Sequence, residues 1–175
     1  VWEGQPADWL DFSANLRPEG TPAWVMDTMR AALSQACYYP DRAMRAARAG
    51  LALYLGVDEN CVLPTAGGAA AIDLTLGVRR GAVHVHQPTF GEYAERAKAH
   101  GRRMAANQAI QADDTVVVCN PNNPTGTLLS PNDVLRMHRD VRNSGGELIV
   151  DEAFMDYCPD ATVRHHVQDG LTVVV

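Results

Sequence analysis

The apolar positions of this chain switch repeatedly between two periods. Over residues 22–36 they recur at helical spacing, with Trp24, Val25, Met29, Ala32 and Leu33 on one face. Tyr38-Tyr39-Pro40-Asp41 breaks that run. Residues 43–55 then predict a second helix, closed by Gly56 as its C-cap. Residues 60–64 read as a short strand, and Gly67-Gly68 opens a helix that continues to about residue 77. Further strands are predicted at 82–87, 115–119, 147–151 and 171–175. Helices are predicted at 92–100 and 131–143, and a strand with a loop at 104–111. Residues 1–20 carry Pro6, Pro18 and Gly20 and read as an irregular arm. Strands and helices that alternate in this way predict an α/β fold, a mostly parallel sheet with helices on both faces.

Composition narrows the function classes. Apolar residues make up 46% of the 175, enough for a packed core in about one domain. A net charge of −6 argues against a nucleic-acid surface and against a polybasic membrane patch. No apolar run approaches the ~20 residues of a membrane helix. The start, VWEGQPADWLDF, has neither the basic segment nor the long apolar stretch of a secretion signal. Cys37, Cys61, Cys119 and Cys158 are widely spaced, as expected for reduced thiols in the cytoplasm. His84, His86, His165 and His166 lack the ligand spacing that would complete a zinc site, so no metal is expected. Arg42, Arg45 and Arg48 predict a solvated helix face.

The densest chemistry lies where Val116-Val117-Val118-Cys119 runs into Asn120-Pro121-Asn122-Asn123-Pro124-Thr125-Gly126. An apolar strand ends there in a turn stiffened by two prolines. Open α/β sheets place ligands at the carboxyl ends of their strands, so this turn can hold an Asn amide against a ring or a carboxylate. A second apolar strand, Leu148-Ile149-Val150, ends in Asp151, 28 residues after Asn123, which leaves room for one intervening helix. Upstream, Gly67, Gly68 and Ala69 begin a helix, and free N–H groups at a helix start suit a phosphate. An ordinary tight turn would use the same glycines.

NPNNPTG followed by DEAF resembles the fold-type I pyridoxal phosphate enzymes, the aspartate aminotransferase superfamily. That resemblance implies pyridoxal 5′-phosphate as cofactor. Its phosphate would sit at Gly67, Gly68 and Ala69. Ala66, Ala69 and Ala70 stand where relatives carry polar residues, so the N–H groups of Gly68 and Ala69 would do most of the holding. Phe90, in Gln87-Pro88-Thr89-Phe90, would stack on the ring; the alternative is a core phenylalanine. The catalytic candidates are Asn123, donating to the ring O3′, and Asp151, pairing with the pyridine nitrogen. Phe154 replaces a tyrosine common in the family. Tyr39 would reach the cofactor phosphate of a neighbouring subunit, which implies a homodimer; the alternative is a packing tyrosine before a turn.

Asp11-Phe12-Ser13-Ala14-Asn15 narrows the resemblance to the threonine-phosphate decarboxylases, close relatives of the histidinol-phosphate aminotransferases. It places Asn15 near an amino acid phosphate substrate. The expected reaction is decarboxylation of L-threonine O-3-phosphate to 1-aminopropan-2-yl phosphate in cobalamin biosynthesis. The alternative is transamination of histidinol phosphate. Lys98 is the only lysine and lies in a polar, surface-type helix, whereas the family's Schiff-base lysine follows the DEAF acid further downstream. The chain is therefore expected to be the N-terminal part of a longer enzyme. Residues 1–40 would form an arm and helix, and 41–175 a cofactor-binding large domain cut before that lysine. An alternative of another class is an inactive cofactor-binding fragment.

Overall fold

The computed structural model describes Asn15, residues 19–105 and residues 108–175. The chain divides into two units, Val1–Ala43 and Met44–Val175. In the first, helix α1 (Ala23–Ala32) continues into a 3-10 turn at Leu33–Gln35. Arg30 pairs with Asp27 at 2.8 Å on its surface. Trp24, Met29 and Leu33, which the spacing puts on one face, are exposed.

The second unit runs α2 (Arg45–Leu55), α3 (Gly68–Val78), β1 (Val83–Val85), α4 (Glu92–Ala99), β2 (Met104–Ala105), β3 (Thr115–Cys119), α5 (Pro131–Asn143), β4 (Glu147–Asp151) and β5 (Thr172–Val174). All strand pairs are parallel, in the order β2-β1-β3-β4-β5. The chain thus steps from β1 outward to β2, then crosses back past β1 and continues the other way. The reversal falls between β1 and β3. A crevice opens at the carboxyl ends of the strands at such a point, because the two following loops leave toward opposite faces.

Alternation along the strands sorts the core into two layers. Val117, Cys119 and Ile149 face Ile72 and Leu76 of α3 and Tyr93 and Ala97 of α4. Val116, Val118, Leu148 and Val150 face Val134 and Val141 of α5, with Val163 and Leu171. Helices on opposite faces follow from crossovers of one hand running in opposite directions along the sheet. α5 starts cleanly because Ser130 Oγ accepts the Asp133 N–H at 3.2 Å and Pro131 has no N–H to satisfy.

The amino ends of the strands are tied by buried polar groups. Arg102 donates to the carbonyls of Leu76, Gly81 and Ala82 and to Thr115 Oγ1, at 2.7–3.2 Å. Asp114 accepts the Ala82 N–H at 2.7 Å and the Gln111 N–H and His84 Nε2 each at 2.9 Å.

Two sequence expectations fail here. No strand forms over residues 60–64. Asp58 accepts the Asn60 N–H at 2.8 Å and starts a 3-10 turn at Glu59–Cys61 instead. Pro64 also brings no donor to a ladder. Arg48 does not simply face solvent: it is half-buried, and Nη2 and Nε donate to the Glu59 carbonyl at 2.7 and 3.1 Å and pin that turn to α2.

Candidate active site

The loops that follow β1 and β3 meet at the reversal. The Thr89 hydroxyl donates to Asn122 Oδ1 at 2.7 Å, and Asn122 Nδ2 donates to the Pro88 carbonyl at 2.9 Å. The same amide reaches Thr125 Oγ1 at 2.8 Å. Asn120 is fully buried and closes the base of its loop, accepting the Leu129 N–H at 2.8 Å and donating to the Leu129 carbonyl at 3.3 Å. The peptide bonds before Pro88, Pro121 and Pro124 are cis. Two of the three asparagines in the motif therefore serve the loops. The third, Asn123, is half-buried, and its side-chain amide has no hydrogen-bond partner among the described residues.

Asp151 ends β4, directly opposite Cys119 at the end of β3. It is buried, and both oxygens are held. Tyr93 O–H donates to Oδ2 at 2.7 Å, and the Ala153 N–H donates to Oδ1 at 3.0 Å. Burial, and then the Asp151 charge, push the Tyr93 phenol far above its ordinary range, so it remains a donor. Burial also pushes the Cys119 thiol up, so no second charge develops beside the acid. Phe90 is 37% exposed, and its ring meets Tyr93 edge-on at 5.7 Å between centroids. It is not the core residue of the alternative reading.

Gly67 precedes α3 with φ 86°, a conformation in which a side chain would be strained. Its carbonyl accepts the Ala70 and Ala71 N–H groups. The N–H groups of Gly68 and Ala69 lie in the first turn of α3, where a helix has no internal partner for them. A Cβ placed on Gly67 or Gly68 would meet nothing within 4 Å, so the helix start is open. An open cleft of about 350 Å³ brings Gly67 together with Thr65, Ala71, Glu152, Ala153 and Val174. The structure thus joins Phe90, Tyr93 and Asp151 through direct contacts, links the Asn123 loop to the Phe90 loop, and sets Gly67 beside the segment that follows Asp151. Asn15 and Tyr39 belong to the first unit and are exposed. The rest of the predicted arm motif, residues 11–14, lies outside the described residues.

Residues 7–175 match the family described as aminotransferase class I and II. The chain belongs to that family. The aminotransferase-class chain is 35% identical to a threonine-phosphate decarboxylase of Sinorhizobium over 98% of its own length and 52% of the relative's. Its fold matches the histidinol-phosphate aminotransferase of Clostridium acetobutylicum with a TM-score of 0.79 at 21% identity, over 92% of this chain and 53% of that one. It also matches the histidinol-phosphate aminotransferase of Sinorhizobium meliloti in complex with pyridoxal-5′-phosphate, with a TM-score of 0.73 at 20% identity over 85% and 45%. The chain spans about half the length of the curated relatives it matches.

Two buried groups were not singled out as site residues from the sequence. Tyr93 lies three residues after Phe90, at the apolar spacing of α4, and reads as core; only its hydroxyl, which needs a partner when buried, signals more. Glu152 is fully buried and accepts from Thr162 Oγ1 at 2.5 Å and from the Val163 N–H at 2.7 Å. It lines the cleft beside Gly67, and these two bonds fasten the segment after β4.

Proposed function

We propose that this chain is the cofactor-binding part of a pyridoxal phosphate-dependent lyase that decarboxylates L-threonine O-3-phosphate to 1-aminopropan-2-yl phosphate, within cobalamin biosynthesis. The observation that carries the reading is Asp151: a buried carboxylate with both oxygens held, at the same sheet edge as an Asn123 side-chain amide without a partner among the described residues. The residues fit the cofactor. The open start of α3 offers the N–H groups of Gly68 and Ala69 to a phosphate. Asn123 has a side-chain amide, without a partner among the described residues, to donate to a ring oxygen. Phe90 presents an apolar ring that orients a flat ligand and excludes water from one side. Asp151 carries the negative charge that keeps a proton on a ring nitrogen. When bound, the cofactor supplies an electron sink for the charge left at the substrate Cα.

The choice of a decarboxylase rests on the identity with the Sinorhizobium relative over nearly the whole chain. We further propose that Asn15 lies beside the substrate and that Tyr39 serves the site of a second subunit in a homodimer. Transamination of histidinol phosphate is the second reading, supported by 28% identity to a histidinol-phosphate aminotransferase of Desulfitobacterium hafniense over 89% of this chain. The test is an assay of the natural full-length protein with both substrates. Release of CO2 from L-threonine O-3-phosphate supports the first reading. Transfer of the amino group of histidinol phosphate to 2-oxoglutarate, without CO2 release, replaces it with the second. Neither reaction, in a protein that still binds the cofactor, leaves a binding fragment.

A further inference from the structure

The geometry points to Tyr93 as a positioning residue for Asp151: its buried hydroxyl fixes the carboxylate that faces the cofactor's ring nitrogen. The proposal rests on the cofactor reading above and adds a residue to it.

Tyr93 is fully buried, so its ring alone would be replaced at little cost by phenylalanine. The hydroxyl is what requires explanation, since a buried O–H without a partner is destabilising. Its partner is Asp151 Oδ2, 58 residues away and at 2.7 Å. Ala153 N–H occupies one lone pair of Oδ1. With one donor on each oxygen, the carboxylate cannot rotate freely, and each oxygen still keeps a lone pair for a ligand. The donor also comes from the helix whose approach loop carries Phe90, and the two rings touch at 84°. One helix start therefore sets both an apolar face and the rotation of the acid. Positional precision of this kind governs how strongly a charged hydrogen bond forms to a bound ring.

The test compares two probes in the natural full-length protein: pyridoxal phosphate, and its 1-deaza analogue, in which CH replaces the ring nitrogen. Tyr93→Phe is expected to weaken pyridoxal phosphate binding about tenfold, the scale of a hydrogen bond to a charged group, and to leave the deaza analogue within about twofold. In an Asp151→Asn background the same substitution is expected to change neither probe by more than about twofold. Equal losses for both probes would mean that Tyr93 only packs, and would overturn the proposal while the cofactor reading stands. A wild-type protein that binds neither probe overturns the cofactor reading and the proposal with it. The Tyr93 hydroxyl proton, followed by NMR in the unaltered protein, gives a check independent of how the variant folds. It is expected to shift on adding pyridoxal phosphate and not on adding the deaza analogue. An equal shift with both, or none with either, counts against the proposal.

Discussion

The hydroxyl of Thr89 donates to Oδ1 of Asn122 at 2.7 Å, and this bond joins the loop after β1 to the loop after β3. Asn122 also donates to the Pro88 carbonyl and to Thr125 Oγ1. Asn122→Ala removes these bonds together and leaves a carbonyl and two hydroxyls to find water. A loss of about 1–3 kcal/mol is expected, measured as a shift of the urea midpoint at unchanged slope. A midpoint equal to wild type would show that the two loops hold each other by other means.

Asn123 is expected to behave in the opposite way. Its amide has no partner among the described residues, so Asn123→Ala should leave stability within about 0.5 kcal/mol. Under the proposed function the same change should weaken cofactor binding about tenfold, read by titration with pyridoxal phosphate. A destabilised protein with unchanged cofactor affinity would assign Asn123 to the loop instead.

These two neighbours show what the sequence makes legible. β3 and β4 are plain from their apolar runs, and the turn after β3 from its prolines and glycine. The start of α5 is plain from Ser130 and Pro131. Asp151 stands out because an acid ending an apolar strand is unusual. Which asparagine faces the ligand is not written in local pattern; it depends on which amides the neighbouring loop uses. Nor is the pairing of Tyr93 with Asp151, because it requires the strand order that brings the start of α4 within reach of the end of β4. The turn at Glu59–Cys61 was missed for a related reason. Its decisive bonds come from Asp58 and from Arg48 on the preceding helix. A strand pattern cannot reveal whether a partner strand lies alongside.

Gly81 tests the other end of the sheet. A Cβ built there would lie 2.4 Å from the Asp113 carbonyl oxygen and 2.6 Å from the Asp114 nitrogen. Both are backbone atoms at the turn that enters β3, and the Gly81 N–H already donates to that carbonyl at 3.1 Å. Relief requires moving the start of β1 away from β3. Gly81→Ala is therefore expected to destabilise by about 2 kcal/mol, within the usual range for overpacking, seen as a lower thermal midpoint. An unchanged midpoint would show that this turn is free to move.

Asp114 gives a pH signature to the same region. Burial by itself would push its carboxyl up, but hydrogen bonds from His84, the Gln111 N–H and the Ala82 N–H outweigh that and hold it below its ordinary value near 3.8. A carboxyl whose pKa is lower in the folded chain than in the unfolded one stabilises the fold only when ionised. Its contribution is complete above the unfolded value of about 3.8 and is lost as pH falls through the lower folded value. Asp114→Asn should therefore be less stable than wild type at neutral pH, since it loses ionised acceptors for three donors. The gap between the two should narrow as pH drops below about 4, because the wild-type advantage disappears there and the variant has none to lose. Denaturation curves from pH 7 down to pH 3 measure this directly. A gap that stays constant over that range would mean that Asp114 acts by packing and neutral hydrogen bonding, with its charge playing no part.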